Sequence, residues 1–403
     1  MKKNIHTMEH ELKDNANSAK FAFDLEIASP GRINLIGEHT DYNGLAVLPM
    51  ALDQSVVICF RPRGDDRITL VNAAAAFGRV SFPLHGNIPP EEPGAWGNYI
   101  RAAAQAMVRD YGVTAGLDGA VASTLPIAAG LSSSSALVVA SGLALLAASR
   151  KEAEPLGIME TLARGERYVG VQGGGMDQAV SLGARAGHAV RIAFRPRLEL
   201  RPVPVPAGWR FVVASSGAQA AKAAGARDAY NARVRESAKA LAVMAAHLGL
   251  PSPADYAELL ERVPAAEALA GAESVLPGLL RSRFRHVVSE AQRVDAAVGA
   301  MERGDARTFG RLMSESHESL RADYEVSTPA LDRLVETMRD AGALGARLTG
   351  AGFGGSVIAL AEPDCVDVVL RAARDFGPAG RATLPPFVAS PGPGAGVVPL
   401  AAG

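Results

Sequence analysis

The sequence predicts a mixed α/β (α+β) fold in two lobes, and three features predict it. The chain has 403 residues, enough for about two domains at roughly 100–200 residues each. Its first half carries short apolar runs rich in β-branched residues. Its second half carries longer stretches with apolar residues at three-to-four spacing. Along the chain, Ser55 to Phe60, Ile68 to Val71 and Val80 to Phe82 read as strands, separated by polar turns such as Arg63-Gly64-Asp65-Asp66. Asn98 to Val108 and Ala136 to Ala148 read as helices. His188, Val190 and Ile192 alternate with Ala189, Arg191 and Ala193, the period of two of a half-buried strand. Beyond the proline-punctuated stretch Arg195 to Pro206, helices are expected over Tyr230 to Leu248, Phe284 to Met301 and Ala330 to Ala341. The expected division is residues 21–200 for one lobe and 201–390 for the other. The Pro-, Gly- and Ala-rich tail from Leu384 to Gly403 is expected to be partly extended and packed, then frayed.

Composition narrows the function classes. With 48% hydrophobic and 21% charged residues the chain reads as a globular enzyme rather than a disordered or fibrous protein. Lys+Arg 41 against Asp+Glu 42 gives a net charge of -1, so no chain-wide field draws it to nucleic acid or to an anionic membrane, and any anion site is local. Cys59 and Cys365 cannot supply a disulfide framework, which points to a reducing cytoplasm. Met1 to Lys20 is polar, without the apolar stretch of a signal peptide. The uncharged run Gly119 to Ser149 is interrupted by Pro126 and by Ser132 to Ser135. The remainder, Ala136 to Ser149, is shorter than the ~20 residues a membrane span needs. The sequence sets no oligomeric state, and a monomer is compatible with it.

Four segments carry candidate chemistry. In Ser29-Pro-Gly-Arg-Ile-Asn-Leu-Ile-Gly-Glu-His-Thr-Asp-Tyr42, Arg32, Glu38, His39 and Asp41 offer a guanidinium, two carboxylates and an imidazole, a set suited either to reading sugar hydroxyls or to an ion-paired surface turn. In Leu125-Pro-Ile-Ala-Ala-Gly-Leu-Ser-Ser-Ser-Ser-Ala136, small residues including Gly130, Leu131, Ser132, Ser133, Ser134 and Ser135 run into a helix. Free amide N–H groups and the positive end of the helix dipole favour a polyphosphate there, and hydroxyls can hold a metal ion, although serine is also a common helix cap. No Gly-Lys-Ser/Thr closes this loop, so it is not a Walker A motif.

In Glu166-Arg-Tyr-Val-Gly-Val-Gln-Gly-Gly-Gly-Met-Asp-Gln178, three glycines leave Asp177 open to a ligand, as a proton acceptor for a hydroxyl or as the cap of a helix starting at Gln178. The fourth segment, Ala346-Arg-Leu-Thr-Gly-Ala-Gly-Phe-Gly-Gly-Ser-Val-Ile-Ala-Leu360, contains Gly350, Gly352 and Gly355 in a G-x-G-x-x-G pattern. It runs into an apparent strand, whereas a dinucleotide fingerprint opens a helix. A glycine loop between two strands, close to phosphates, is the expectation.

In this order, over roughly residues 25 to 360, the four segments resemble the galactokinases, members of the galactokinase, homoserine kinase, mevalonate kinase and phosphomevalonate kinase (GHMP) superfamily. Gly-Arg-x-Asn-Leu-Ile-Gly-Glu-His-Thr-Asp-Tyr carries most of that resemblance. It implies an N-terminal lobe like ribosomal protein S5 domain 2, a ferredoxin-like C-terminal lobe, and ATP-dependent phosphorylation of the anomeric hydroxyl of galactose between them. It also implies roles: Asp177 as the catalytic carboxylate with Arg32 beside it, and Glu38, His39, Asp41, Gly174 and Tyr230 at the sugar. Gly130 to Ser135 would hold ATP, Ser134 and Glu166 would hold Mg²⁺, and Trp96 and Tyr99 would lie near the adenine.

Two departures bear on the sugar. Asn43-Gly-Leu-Ala-Val-Leu-Pro replaces the Gly-Phe pattern of many bacterial members, and Gly173 stands where they commonly have Cys. The first, with Gly174-Gly-Met-Asp-Gln-Ala179, looks more like the eukaryotic branch, which includes N-acetylgalactosamine kinases. A non-catalytic sugar and ATP sensor and a nucleotide-dependent oxidoreductase are the competing readings.

Overall fold

The computed structural model describes residues 23–85, 87–126, 129–170, 172–217, 223–251, 253, 255–376 and 384–400. Two long strands, β1 (Leu25–Ile36) and β2 (Leu48–Pro62), pair antiparallel from Leu25↔Phe60 to Ile36↔Leu48. Pro30 and Gly31 break the apolar pattern of β1, which hides this strand in the sequence. A register shift between Pro30 and Arg32 accommodates them. There follow β3 (Arg67–Asn72), β4 (Val80–Pro83), α1 (Gly97–Tyr111), β5 (Leu117–Ser123) and α2 (Ser133–Ala148). The last is apolar on all sides and packs against α1, β1 and β2, so it is a core helix. Then come α3 (Pro155–Gly165), α4 (Met176–Gly183) and the antiparallel pair β6 (His188–Ala193) and β7 (Glu199–Pro204).

The second half opens with β8 (Arg210–Ser215) and continues through α5 (Ala223–His247), α6 (Tyr256–Arg262), α7 (Ala265–Val275), α8 (Gly278–Glu302), α9 (Ala306–Ala322) and α10 (Pro329–Asp340). Starts are set locally: the Asp305 side chain accepts from the Thr308 N–H at the head of α9. Thr328 accepts from the Leu331 N–H at the head of α10, with Pro329 in the first turn. β9 (Gly345–Thr349), β10 (Ser356–Ala361), α11 (Val366–Asp375), β11 (Phe387–Ala389) and β12 (Gly396–Pro399) complete the chain.

Six strands form one sheet in the order β12-β1-β2-β5-β3-β4, and four form a second, antiparallel sheet in the order β11-β8-β10-β9. The chain changes sheet between β7 and β8, so the expected 200/201 division falls inside β7. The tail returns to the first sheet, where β12 pairs with β1 from Leu25↔Pro399 to Ala28↔Gly396. Val294, Phe309 and Ile358 of the second half join Ile33, Ile58 and Leu131 of the first in one buried core. This shared core holds the C-terminal end of β1 against β9, where the candidate residues gather. Among the described residues no helix is long and apolar enough to cross a membrane.

Candidate active site

Arg32 leaves β1 with its side chain almost wholly buried, and its backbone N–H donates to the Leu131 carbonyl at 3.1 Å, joining the strand to the serine loop. Gly31 permits that approach, since a Cβ there would lie 2.4 Å from Leu125 Cδ2 and 2.7 Å from the Leu131 oxygen. The Arg32 guanidinium donates to both oxygens of Asp177, Nε to Oδ1 at 2.7 Å and Nη2 to Oδ2 at 3.1 Å, while Nη1 donates to the Gly130 carbonyl at 2.8 Å. Asp177 is the second residue of α4, and Gly175 takes the cap position, so the carboxylate faces Arg32 instead of capping its own helix. Ser132 Oγ donates to Asp177 Oδ2 at 2.5 Å. Ser135 Oγ lies 3.3 Å from that oxygen and 2.8 Å from Glu166 Oε1, and Gln178 Nε2 donates to Glu166 Oε2 at 2.6 Å. Burial, and then the charge of Asp177, push the Glu166 carboxyl up to about 7 against its hydrogen bonds to Ser135 and Gln178.

The sugar-side candidates lie in the turn that follows β1. Asp41 Oδ2 accepts the Gly174 N–H at 3.2 Å, a contact that only glycine allows: a Cβ on Gly174 would stand 2.4 Å from the Asp41 carbonyl carbon and from the Tyr42 nitrogen. Burial, and next the charge of Asp177, raise Asp41 to about 6. His39 Nδ1 is 2.9 Å from the Tyr42 hydroxyl, which is 2.8 Å from the Tyr324 hydroxyl. Tyr230, on α5, packs edge-on against Tyr42 with ring centroids 5.6 Å apart, and the His39 ring lies 4.8 Å from that of Tyr324. Burial, followed by the neighbouring His286, pushes His39 down to about 3, so this imidazole is neutral at neutral pH.

Glu38 is 2% exposed and accepts from three donors: Arg347 Nη2 at 2.9 Å, the Gly350 N–H at 2.6 Å and Asn34 Nδ2. Burial pushes its carboxyl up to about 7, and Arg347 opposes that rise. Arg347 is itself fully buried in β9 and donates through Nη1 to the Asn34 carbonyl, while the Asn34 N–H donates to Thr349 Oγ1 at 2.9 Å. The 350–355 loop links β9 to β10 antiparallel and rests on the serine loop, with Ser356 Oγ donating to the Ala129 carbonyl at 2.6 Å. No helix follows that loop, so the G-x-G-x-x-G pattern is not a dinucleotide fingerprint and the oxidoreductase reading falls.

The chain matches three family models. These are the galactokinase galactose-binding signature over residues 21–62, the GHMP kinases N terminal domain over 98–184 and the GHMP kinases C terminal domain over 297–379. It is 41% identical over 345 residues to a galactokinase of Roseiflexus sp. (strain RS-1), a match that covers 85% of this chain and 84% of that protein. The chain belongs to the galactokinase family. The bovine galactokinase is 37% identical over 86% of each chain. The Lactococcus lactis galactokinase complexed with galactose superposes with a TM-score of 0.84 at 30% identity, over 98% of this chain and 99% of that one. A mevalonate kinase structure at 20% identity and a TM-score of 0.62 shares the fold. The two-lobed GHMP kinase architecture that the sequence predicted is therefore the one found.

Within this galactokinase-family fold the structure gathers Arg32, Gly130, Ser132, Ser135, Glu166 and Asp177 into one contact network, with Asp41 and Gly174 adjoining it. Ser134 lies in the first turn of α2, half-buried, its hydroxyl without a hydrogen bond among the described residues, while its neighbour Ser135 holds Glu166. Trp96 and Tyr99 separate: Trp96 Nε1 donates to the Gly78 carbonyl and its ring faces Phe77, whereas Tyr99 is close enough to Glu166 to feel its charge. Sequence reasoning missed Asn34, Arg347, Thr349, Tyr324 and His286. Asn34 stood inside the first motif and Arg347 beside the glycine loop, so their places next to recognisable segments were the available signal.

Proposed function

We propose that the chain transfers the γ-phosphoryl group of ATP to the anomeric hydroxyl of galactose, giving galactose 1-phosphate and ADP. The observation that carries this reading is the Asp177 carboxylate, gripped by the two-toothed Arg32 fork and by Ser132 at the head of α2, within the electrostatic reach of Asp41. A helix head and glycine-lined loops suit a polyphosphate, and a ring of carboxylate, imidazole and phenol groups suits a polyhydroxylated sugar.

In the proposed reaction Asp177 accepts the proton of the anomeric hydroxyl as its oxygen bonds to the γ-phosphorus, the bond from that phosphorus to the β,γ-bridging oxygen breaks, and ADP departs with those electrons. Arg32 orients Asp177 and offsets negative charge on the transferring group. Asp41, His39 and Tyr230 read sugar hydroxyls. Glu38, saturated by its three donors, fixes the first motif to the 350–355 loop so that sugar and phosphate surfaces keep register.

The residues present fit Mg²⁺. Ser134 and Glu166 offer oxygen donors only, and Glu166 lies half-buried within the field of Asp177, an excess of carboxylate that a cation would relieve. Mg²⁺ takes one or two protein oxygens and completes its shell with phosphates and water, a demand that two donors such as Ser134 and Glu166 can meet. Bound there, Mg²⁺ would neutralise charge on the phosphates.

A kinase whose two cysteines, Cys59 and Cys365, are not joined in a disulfide suits the cytoplasm. N-acetylgalactosamine is the second reading, favoured by the open space in front of Gly173, where an added Cβ would meet nothing within 4 Å. ADP release measured by a coupled assay across a panel of hexoses tests the reading. ATP and sugar binding without ADP release from any of them would leave only the sensor.

A further inference from the structure

A cavity of about 360 Å³ borders the Gly173 to Gly175 turn, and its chemistry is not used by the reaction above. Arg164, Arg167, Arg195 and Arg197 line it, with Glu160 as its one carboxylate. Two of these arginines are occupied, Arg164 by Asp110 at 3.1 Å and Arg195 by Asp255 at 2.5 Å. Arg167 and Arg197 have no side-chain hydrogen bond or ion pair among the described residues, and both are exposed. Gly173, Gly174 and Gly175 also line it, and the space in front of Gly173 is open. A second cavity of about 480 Å³ shares Arg167, Gly173, Gly174, Phe194 and Arg195 and extends to Asp41 and Tyr42. The basic pocket is thus continuous, through one glycine turn, with the carboxylate proposed to read the sugar.

We propose that this groove is a second, anion-binding site that takes a phosphate group, and that its occupancy weakens sugar binding at Asp41. Guanidinium forks match phosphate oxygens with two parallel hydrogen bonds, and two unpaired forks suit a dianion. Volume favours an occupant as large as a sugar phosphate, since small-molecule sites begin at roughly 300 Å³. The coupling follows from the turn: the Gly174 N–H that holds Asp41 belongs to the same backbone the anion would touch. A negative charge there also lies on the side of a carboxylate that must accept hydroxyl hydrogens. The reaction releases a phosphate monoester, so the site would respond to accumulated product or to free phosphate.

The site goes beyond the sugar-kinase reading, and binding without ATP tests it whether or not the sugar is phosphorylated. Galactose 1-phosphate is titrated calorimetrically into the full chain and into the Arg167→Gln/Arg197→Gln variant, with thermal melts verifying that both are folded. The wild type is expected to bind one equivalent more than the variant, while kcat and the galactose KM without added phosphate stay equal. Displacement of the extra equivalent by inorganic phosphate assigns the site to the phosphate group alone, and its retention assigns it to a sugar phosphate; both support the site. The probe that occupies it should raise the galactose KM several-fold more in the wild type than in the variant. Equal stoichiometry in the two proteins overturns the site, and an equal KM response overturns the coupling.

Discussion

Arg347 and Glu38 form an ion pair, Nη2 to Oε2 at 2.9 Å, with side chains 0% and 2% exposed. It ties β9 to the end of β1, and the same carboxylate takes the N–H of Gly350, the first residue of the glycine loop. Removing one partner of a buried pair strands the other charge, a loss of about 3–5 kcal/mol. Arg347→Met is therefore expected to lower the unfolding free energy by that order in urea titrations. Glu38→Gln, which keeps the shape and the Asn34 and Gly350 neighbours, should raise KM for ATP as well as for sugar, because both surfaces hang on it. A sugar-only effect would detach Glu38 from the glycine loop.

Asp177→Asn removes the proton acceptor and leaves Arg32 a single oxygen in place of two. The expected loss in kcat is ~10²–10⁴-fold, with galactose and ATP dissociation constants within a few-fold of wild type. A variant with near-normal kcat removes Asp177 from the chemistry.

Ser134→Ala with Glu166→Gln subtracts two oxygen donors from the proposed metal position. The Mg²⁺ concentration for half-maximal rate should rise by roughly 10–100-fold. Ser135→Ala, which subtracts no proposed metal donor and removes the 2.8 Å hydrogen bond to Glu166 Oε1 and the 3.3 Å one to Asp177 Oδ2, should shift that titration less. Identical curves for wild type and the double variant would discard both assignments.

What the sequence revealed follows from locality. The strands at 55–60, 68–71 and 80–82 and the helices at 98–108, 136–148, 230–248, 284–301 and 330–341 were legible because their apolar period is written in adjacent residues, and each falls within an element of the structure except at Leu248 and Ala341, which lie one residue past the ends of theirs. β1 was not, since Pro30 and Gly31 interrupt its pattern and its burial comes from a partner strand and a loop. The short β12 was equally hidden, being set by pairing with residues 25–28 at the other end of the chain. At the site, motif residues could be named from the resemblance, but the arrangement could not. Arg347 meets Glu38 across 309 positions and Tyr324 meets Tyr42 across 282. No spacing encodes such contacts.

Asp41 gives the pH dependence a sign. Its folded value is raised to about 6 from an ordinary 3.8, by burial and then by Asp177. The folded protein therefore holds more protons than the unfolded chain between those values. The resulting stabilisation is complete below pH 3.8 and is lost as pH rises through about 6. A sugar hydroxyl needs the ionised form, so galactose kcat/KM should climb across the same upper limb, from about pH 5 to 7. Asp41→Asn should flatten that limb and remove the falling contribution to Tm of the sugar-free protein. A variant that keeps the wild-type limb assigns it to another group.

Discrimination between sugars is the most direct reading of the pocket. His39, Asp41 and Tyr230 present an imidazole, a carboxylate and a phenol that are buried or half-buried, and such groups lose hydrogen bonds when the hydroxyl they await points elsewhere. The axial 4-hydroxyl of galactose and the equatorial one of glucose differ in this way, and mismatches of that kind cost on the order of 10⁴ in kcat/KM. At C2 two features of the glycine turn oppose one another. Gly174 is clamped on the Asp41 backbone and cannot yield, while Gly173 faces open space. An N-acetyl group can enter only if C2 points toward Gly173. Comparing kcat/KM for galactose, glucose, N-acetylgalactosamine and 2-deoxygalactose on one preparation separates these cases, with galactose expected first and glucose last. Equal values for galactose and glucose would refute a C4-reading site. A lead for N-acetylgalactosamine would change the substrate and turn C2 toward Gly173, leaving the roles of Asp177 and Arg32 intact.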